Sequence, residues 1–511
     1  MFKSNVLKIA LFVTGLAGIV AEYVLSTLAT YFLGNAVFQW TLIVSIMLFS
    51  MGLGSRISKI FKEDLLKKFI LIEFILSFFS AFSALLVYTI AAYTPYTGII
   101  IYLLCIIIGL LIGMEIPLVI RLNSNYQILK ANVSSVLEQD YYGSLAGGLF
   151  FAFVGLPILG LTYTPFILGS MNFLVAVGLI AILWKEISHK MKMQLSLATS
   201  SIGSFLIVGF FIAQPLILFG EQRRYQDKII YSEQTKYQKI VLTQWKDDYW
   251  LYINNNQQLS TIDEVMYHEP LVHPVMNLHL NPSKILVLGG GDGCAVRELL
   301  KYPEVQKITL VDIDPKMTQL SQNHPVLTQL NTFSLNNEKV EIKNEDAFIF
   351  IEQTKEFYDV VIVDLPDPKT VDLNQLYTKE FYSLIHRKLR PEGLLVTQAG
   401  SPYFATQAYL CIDQTIAAAG FNTQKIHNQI VTLGEWGWVI GSTNHSIDLK
   451  RQLRNLHFDR IETKWINNEA MFLMTSFGKT IYLDEGDPVE TNRIHNPVLY
   501  RYYLNGNWDL Y

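Results

Sequence analysis

KILVLGGGDGCAVRE, residues 284–298, decides the fold of the C-terminal half. Ile285, Leu286, Val287 and Leu288 form the short apolar run of a strand buried on both faces. Beyond the turn, Ala295, Val296, Leu299 and Leu300 recur at helical spacing. Between strand and helix stand Gly289, Gly290, Gly291 and Gly293, which let the backbone turn tightly and approach a ligand. The helix that follows points its free N–H groups at the same place. Gly289 and Gly291 are therefore expected to contact a nucleotide-like ligand. The dinucleotide fingerprint is excluded, because its third glycine falls on Cys294. Asp292 inside the turn would repel a pyrophosphate and suits a cationic or hydroxyl-bearing ligand.

Outward from this turn, strand and helix patterns alternate. KITLV (307–311) ends in Asp312-Ile313-Asp314-Pro315, and Val340–Ile342 leads into Asn344-Glu345-Asp346-Ala347. YDVVIV (358–363) ends in Asp364-Leu365-Pro366-Asp367-Pro368, and Leu394–Thr397 follows Pro391-Glu392-Gly393. The rhythm predicts a parallel sheet with helices on both faces, so Asp292, Asp312, Asp346, Asp364 and Asp367 fall at one carboxyl edge, where ligands bind. Asp312, 19 residues after Gly293, is placed for ribose hydroxyls, and Asp346 with Ala347 for an adenine. Asp364 and Asp367 form a pair in a proline-stiffened loop. Asp314, followed by Pro315, reads as a helix cap. Upstream, Lys239–Leu242 and Trp250–Ile253 read as strands around a Lys246-Asp247-Asp248 turn, a small hairpin layer ahead of the main domain.

The N-terminal half is of another kind. The 511 residues are 51% apolar and 16% charged, and the long uncharged runs crowd into residues 1–220. Seven stretches of roughly 20 residues, near 9–33, 37–54, 69–92, 98–120, 142–160, 164–184 and 198–219, are long enough to span a bilayer. Lys3, Lys8, Arg56, Lys59, Lys62, Lys67, Lys68, Arg121, Lys130, Lys185, Lys190 and Lys192 cluster on alternate loops, whereas 34–36, 93–97 and 161–163 carry neither Lys nor Arg. The N-terminus is therefore expected in the cytoplasm, in a multi-pass protein of the cell (inner) membrane with the lipid bilayer as partner. Seven crossings would deliver the soluble half outside, yet Arg223, Arg224 and Lys228 after the last span look cytoplasmic. Gly155–Thr164 is consequently suspected of being re-entrant. Intramembrane Glu22 and Glu115 suggest a cation site, or pairing with polar neighbours, while Glu73 is read as snorkelling from the cytoplasmic edge. A net charge of −4 gives no sign of nucleic-acid binding, and Cys105, Cys294 and Cys411 are expected as reduced thiols.

With these residues in view, positions 235–445 resemble the spermidine synthase, or polyamine aminopropyltransferase, family. YQKIVL (237–242), LYINNNQQLSTIDEVMYHE (251–269), LVLGGGDGCAVRE (286–298), VDIDP (311–315), NEDAF (344–348), YDVVIVDLPDP (358–368) and LYTKEFY (376–382) carry the likeness in order. The preceding bundle and the tail NPVLYRYYLNGNWDLY (496–511) resemble the family's membrane-attached bacterial branch. The resemblance implies an α-helical multi-span membrane bundle (1–220) followed by α/β structure. That part comprises a β-hairpin layer (221–283), a Rossmann-like, class I S-adenosylmethionine-type catalytic domain (284–445) and a C-terminal extension (446–511).

It also implies roles. Gln238 falls on a methylthioadenosine contact, Asp312 on the ribose acid, and Asp346 with Ala347 on the adenine side. His268 and Asp292 fall on polyamine contacts, Asp364 on the proton acceptor, and Asp367 on the amine-binding acid; Tyr267 joins them in positioning the diamine, and Gln258 matches the hairpin glutamine. The implied reaction moves the aminopropyl group of decarboxylated S-adenosylmethionine, a co-substrate rather than a cofactor, to putrescine or a related diamine. Asp364 acts as general base on the attacking ammonium. No metal site is read at His268 and His273, five residues apart without further ligands at suitable spacing. The catalytic half is expected on the cytoplasmic side, where the co-substrate is made; a homo-oligomer is left open.

Departures from the family pattern are Asn254-Asn255 for the hairpin's Asp-Gly, Asp312 for Glu, and Pro368-Lys369-Thr370-Val371 after Asp367, with Lys369 expected in solvent. They leave the acceptor amine open. Trp436 fits either a wall for an aliphatic diamine or the core. Two rival functions share these features: a small-molecule methyltransferase using S-adenosylmethionine itself, and a non-catalytic polyamine sensor or transporter.

Overall fold

The computed structural model describes residues 2–34, 36–94, 96–124, 128–184, 189–478 and 489–508. Lys185, the side chain of Lys3 and the last three residues of the tail motif lie outside the described residues. The chain divides into two compact units, Met1–Ile229 and Ile230–Tyr511.

The first unit is helical: α1 (Phe2–Leu33), α2 (Ala36–Ile57), α3 (Leu65–Ala91), α4 (Thr97–Asn123), α5 (Leu129–Phe150), α6 (Gly160–Leu183) and α7 (His189–Gln222). Among the described residues, six helical stretches are long and apolar enough to cross a membrane; the fifth, Leu129–Leu183, runs for 55 residues. At 1.5 Å per residue a straight helix of that length would reach about 80 Å, far beyond a hydrocarbon core of about 30 Å. It does not run straight. A π-helical turn over Phe151–Leu159 ends at Gly160, whose φ of 63° breaks the helix. The Thr164 hydroxyl then donates to the Gly155 carbonyl at 2.7 Å, which nine residues of continuous helix would forbid. The suspected re-entrant segment is thus the apex of a hairpin between two full-length legs.

Contacts between helices fix their directions. Gly143 approaches Phe12 and Gly147 approaches Leu16, so α1 and α5 run the same way. Met47 meets Gly109 and Met51 meets Gly113, aligning α2 with α4; Gly98 meets Leu33, opposing α1 and α4. Phe74 packs on Phe173 and Phe82 on Phe166, opposing α3 and α6, while Phe78 on Phe205 and Tyr88 beside Gly220 align α3 with α7. Seven legs therefore alternate. Arg121 donates to the Ser58 and Phe61 carbonyls at the end bearing the basic loops. Arg224 lies over Tyr31 and Phe32, at the opposite end. Glu73, expected to snorkel, is instead fully buried, its Oε1 accepting from Thr14 at 3.1 Å. Glu22 and Glu115 are buried too, and neither carboxylate oxygen of Glu115 has a hydrogen-bond partner among the described residues.

The second unit opens with an antiparallel sheet in the order β1 (Lys228–Gln234), β2 (Lys239–Trp245), β3 (Asp248–Ile253), β4 (Asn256–Ser260). Asn254 and Asn255 both take positive φ, 49° and 66°, the pair a two-residue hairpin of this hand requires. Asparagine tolerates that conformation, which is why it can replace Asp-Gly here.

Helix α8 (Val265–Leu278) leads into β5 (Lys284–Gly289), α9 (Cys294–Leu299), β6 (Lys307–Val311) and α10 (Pro315–Asn323). After these come β7 (Val340–Lys343), β8 (Tyr358–Asp364), β9 (Leu389–Gln398), β10 (Asn422–Ile430) and β11 (Gly434–Ser442). The order in the sheet is β10-β11-β9-β8-β5-β6-β7, with β7 to β9 parallel and β11 and β10 antiparallel. Strand order reverses between β5 and β8, the crevice where open α/β sheets bind ligands. Fully buried Ile285, Val287, Val360 and Ile362 pack one face of this sheet; Leu286, Leu288, Val361 and Val363 pack the other. All three cysteines are buried and free.

Candidate active site

The Gly-rich turn and the end of β8 are built as one piece. Gly289 pairs in register with Asp364, and the Gly290 N–H donates to the Asp364 carbonyl at 2.9 Å. Gly289 has φ 82°, and a Cβ there would sit 2.0 Å from that carbonyl oxygen, so only glycine fits. At Gly291 a Cβ would lie 2.4 Å from Asp312 Oδ2, which brings the end of β6 against the same turn. Half-buried there, Asp312 has its carboxyl pushed up to about 6 by desolvation, helped by the charges of Asp314 and Asp292.

Three expected residues converge above this turn. His268, Asp292 and Asp364 each bring one polar atom within 4.8 Å of the others. The Tyr267 hydroxyl donates to Asp364 Oδ1 at 2.7 Å, and its ring packs on Trp438. Burial raises the Asp364 carboxyl to about 6, and Asp292 adds to the effect, while His268 and Tyr267 oppose it. Asp292 Oδ1 accepts the Cys294 N–H at 2.7 Å and lies 3.8 Å from His268 Nε2.

His268 is held from behind by residues that sequence reasoning missed. Its Nδ1 is 2.8 Å from Glu264 Oε2, one helical turn earlier. Arg297 grips Glu264 through both nitrogens, Nη1 to Oε1 at 2.8 Å and Nη2 to Oε2 at 2.9 Å. Burial alone would lower the His268 pKa, but the hydrogen bond and charge of Glu264, with Asp292 and Asp364, lift it to about 9. Burial would likewise raise Glu264, and His268 with Arg297 instead hold it at about 2. The imidazole is therefore a cation at neutral pH, facing Asp292 and Asp364. The Glu264/His268 spacing of four on a helix was the available signal.

The remaining expected residues divide. Asp346 caps the 347–353 helix, its Oδ1 accepting from Phe348 and Ile349 at 2.7 and 3.1 Å, so its own capping role is realised beside buried Ala347. Asp314 caps α10, as expected, and its Oδ2 accepts from Thr235 at 2.8 Å. Thr235 in turn holds the Gln238 backbone, N–H to Thr235 Oγ1 at 3.0 Å, which ties the Gln238 turn to the end of β6. Gln258 bonds locally to the Asn256 and Gln257 carbonyls. Trp436 packs against the core, and its indole N–H is buried without a partner among the described residues.

Asp367 is met from an unexpected direction. Tyr503, from the tail, donates to its Oδ2 at 2.5 Å, and Gln398 to its Oδ1 at 3.4 Å. Lys369, expected in solvent, turns inward: its Nζ is 2.6 Å from Asn256 Oδ1 and 3.7 Å from Asp367 Oδ2. Among the described residues Asp367 forms an ion pair with no other cation, and the two charges attract.

The spermine/spermidine synthase domain family matches residues 264–451. Polyamine aminopropyltransferase 2 of Aquifex aeolicus is 42% identical over 505 residues, covering 98% of this chain and 99% of its own length. The polyamine aminopropyltransferase of Oceanobacillus iheyensis is 38% identical over 507 residues, at 98% and 96% coverage. A crystal structure of spermidine synthase in complex with the transition-state analogue AdoDATO matches 49% of this chain and 86% of that one, at 26% identity and a TM-score of 0.45. A likeness this close, running nearly end to end through both units, makes the chain a member of the polyamine aminopropyltransferase family.

Proposed function

We propose that this protein transfers the aminopropyl group of decarboxylated S-adenosylmethionine to putrescine, releasing spermidine and methylthioadenosine. The observation that carries the reading is Asp364 at the sheet's switch point, its carboxylate bonded to Tyr267 and its backbone paired with the Gly289–Gly290 turn. The donor brings a sulfonium and an ammonium, and the acceptor brings two ammonium groups. A rim bearing Asp292, Asp312, Asp364 and Asp367 suits such ligands, whereas a neutral methyl acceptor needs none of this charge.

In this reading the nucleoside lies over Gly289 and Gly291, with Asp312 on the ribose, Asp346 and Ala347 beside the adenine, and Gln238 over it. An ammonium is no nucleophile until it loses a proton. Asp364, with its pKa near 6, is ionised at neutral pH yet basic enough to take that proton. The freed amine then attacks the methylene next to sulfur, the C–S bond breaks, and its electron pair leaves on methylthioadenosine. Tyr267 orients the base, and the His268 cation keeps Asp292 and Asp364 from sharing a proton. Holding the two cations in line accounts for much of the acceleration. These steps use only side chains of this chain. The test is Asp364→Asn: methylthioadenosine release from the purified full-length chain, given decarboxylated S-adenosylmethionine and putrescine, is expected to fall by about 10² to 10⁴. Release within a few-fold of the unsubstituted chain would refute the assignment.

We also read the first unit as a multi-pass membrane domain. Its helices have the length and apolar character for spanning, and Lys and Arg gather at one end. From a cytoplasmic N-terminus, seven alternating legs bring the chain out at the opposite side. That argument runs against the cytoplasmic location favoured by co-substrate supply, and a topology reporter separates the two.

A further inference from the structure

The C-terminal tail is locked to the loop that carries Asp367. Asn492 donates through Nδ2 to the Tyr377 carbonyl at 2.9 Å, and the Tyr377 hydroxyl donates to the Leu365 and Pro366 carbonyls at 3.1 Å each. The tail helix Leu499–Leu504 buries Leu499 and Tyr503 in the core of the sheet's second face. Trp508 then packs on Tyr503, the rings tilted by 33° with centres 4.6 Å apart, and donates to its carbonyl at 2.7 Å. From this position the Tyr503 hydroxyl donates to Asp367 Oδ2.

Onto the same oxygen comes Lys369. Its ammonium is bounded by Asp367, by Asn256 and by the Tyr503 ring, 5.6 Å from the ring centre. A carboxylate, an amide oxygen and an aromatic face are the partners an alkylammonium seeks. The lysine supplies from the protein itself the group that a diamine carries at its far end. Asp367 is the amine-binding acid that the resemblance implies; we propose that Tyr503 of the tail positions that acid as a specificity-determining residue, and that the Lys369 ammonium holds the place of the acceptor's second ammonium until a diamine displaces it.

This proposal rests on the aminopropyl reading and refines it. With Lys369 in place Asp367 is neutralised, and a second ammonium would leave the pair with a net positive charge. The lysine must therefore swing out as a diamine enters, and its side chain, 35% exposed, has solvent to enter. The affinity for a diamine is then the difference between two ammonium–carboxylate contacts. A monoamine of the same length makes no such exchange.

The test uses the full-length chain with saturating decarboxylated S-adenosylmethionine. It reads the KM for putrescine and the inhibition constant of n-butylamine, which lacks the second ammonium. Lys369→Met is expected to lower the putrescine KM about three- to tenfold, the range for a partly exposed ion pair, and to leave the butylamine constant within about twofold. Tyr503→Phe is expected to raise the putrescine KM about tenfold, with the same indifference to butylamine. An unchanged or raised putrescine KM in Lys369→Met, or equal shifts for both amines, overturns the subsite. Should Tyr503→Phe fail to fold, Lys369→Met decides alone. Absence of methylthioadenosine release from the unsubstituted chain would refute the aminopropyl reading instead, so the two failures are distinct.

Discussion

Glu264→Gln perturbs the site from behind, by changing the partner that holds His268. Glu264 is one helical turn from His268 and holds its Nδ1 at 2.8 Å. Removing that negative charge lets the imidazole titrate well below its present pKa of about 9. His268 in turn lies within 4.8 Å of Asp364 and lowers its pKa. At an effective dielectric of about 20, a unit charge 4.8 Å away is worth about 3.5 kcal/mol, or about 2.5 pH units of titration. That figure is for complete loss of the imidazolium charge at that distance. His268 keeps Asp292 and Asp364 as neighbours in the variant and stays partly charged near pH 6–7, so the expected displacement is about one pH unit. The direction follows from the charge: a weaker cation beside Asp364 raises its pKa. The base must be ionised to work, so the acidic limb of kcat/KM should move from near pH 6 toward near pH 7. The assay is methylthioadenosine release at subsaturating putrescine over pH 5–9, compared with the unsubstituted chain under identical conditions. The position of the limb does not depend on how much enzyme survives purification, so a loss of stability does not obscure the reading. An acidic limb that stays put, or moves to lower pH, refutes the chain of coupling from Glu264 through His268 to Asp364.

Two further outcomes test the frame around that site. Gly289→Ala places a methyl 2.0 Å from the Asp364 carbonyl at a φ of 82°, so at least about 1–3 kcal/mol of stability should be lost. Thermal denaturation should show it, and an unaltered melting temperature would mean the turn yields more readily than its geometry implies. On the proposed reading, with every leg crossing and the N-terminus in the cytoplasm, a reporter fused at the C-terminus should give the extracytoplasmic signal; a cytoplasmic signal refutes either the parity or the orientation.

Strand and turn punctuation made the centre of the second unit readable. LVLGGGDG could be little other than a buried strand entering a tight turn, and the aspartates after successive strands had to share an edge once those strands were parallel. What stayed hidden has physical reasons. Strands β1 (KIIYSEQ) and β4 (NQQLS) alternate poorly, and half-buried polar strands at a sheet's margin leave no period to detect. Glu264 and Arg297 look like surface charges, and nothing local says that each is buried to neutralise the other. Lys369 was assigned to solvent because a loop lysine normally is; its partner Asn256 is 113 residues away. Tyr503 reaches Asp367 across 136 residues, a distance over which pattern carries no information. In the bundle the break near Gly160 was legible, but whether the chain dips or reverses there depended on packing against α1 and α3.

The tail tyrosine also bears on how the protein is made. A ribosome completes the Gly-rich turn, the β8 aspartate and nearly the whole sheet before Tyr503 exists. A nascent chain can thus fold its Gly-rich turn and sheet early, yet Asp367 lacks its tyrosine partner until residue 503 has been made. Chains cut before Tyr503, by premature termination or by a trimming protease, would keep the turn and the sheet while losing the hydroxyl that holds the Asp367 carboxylate.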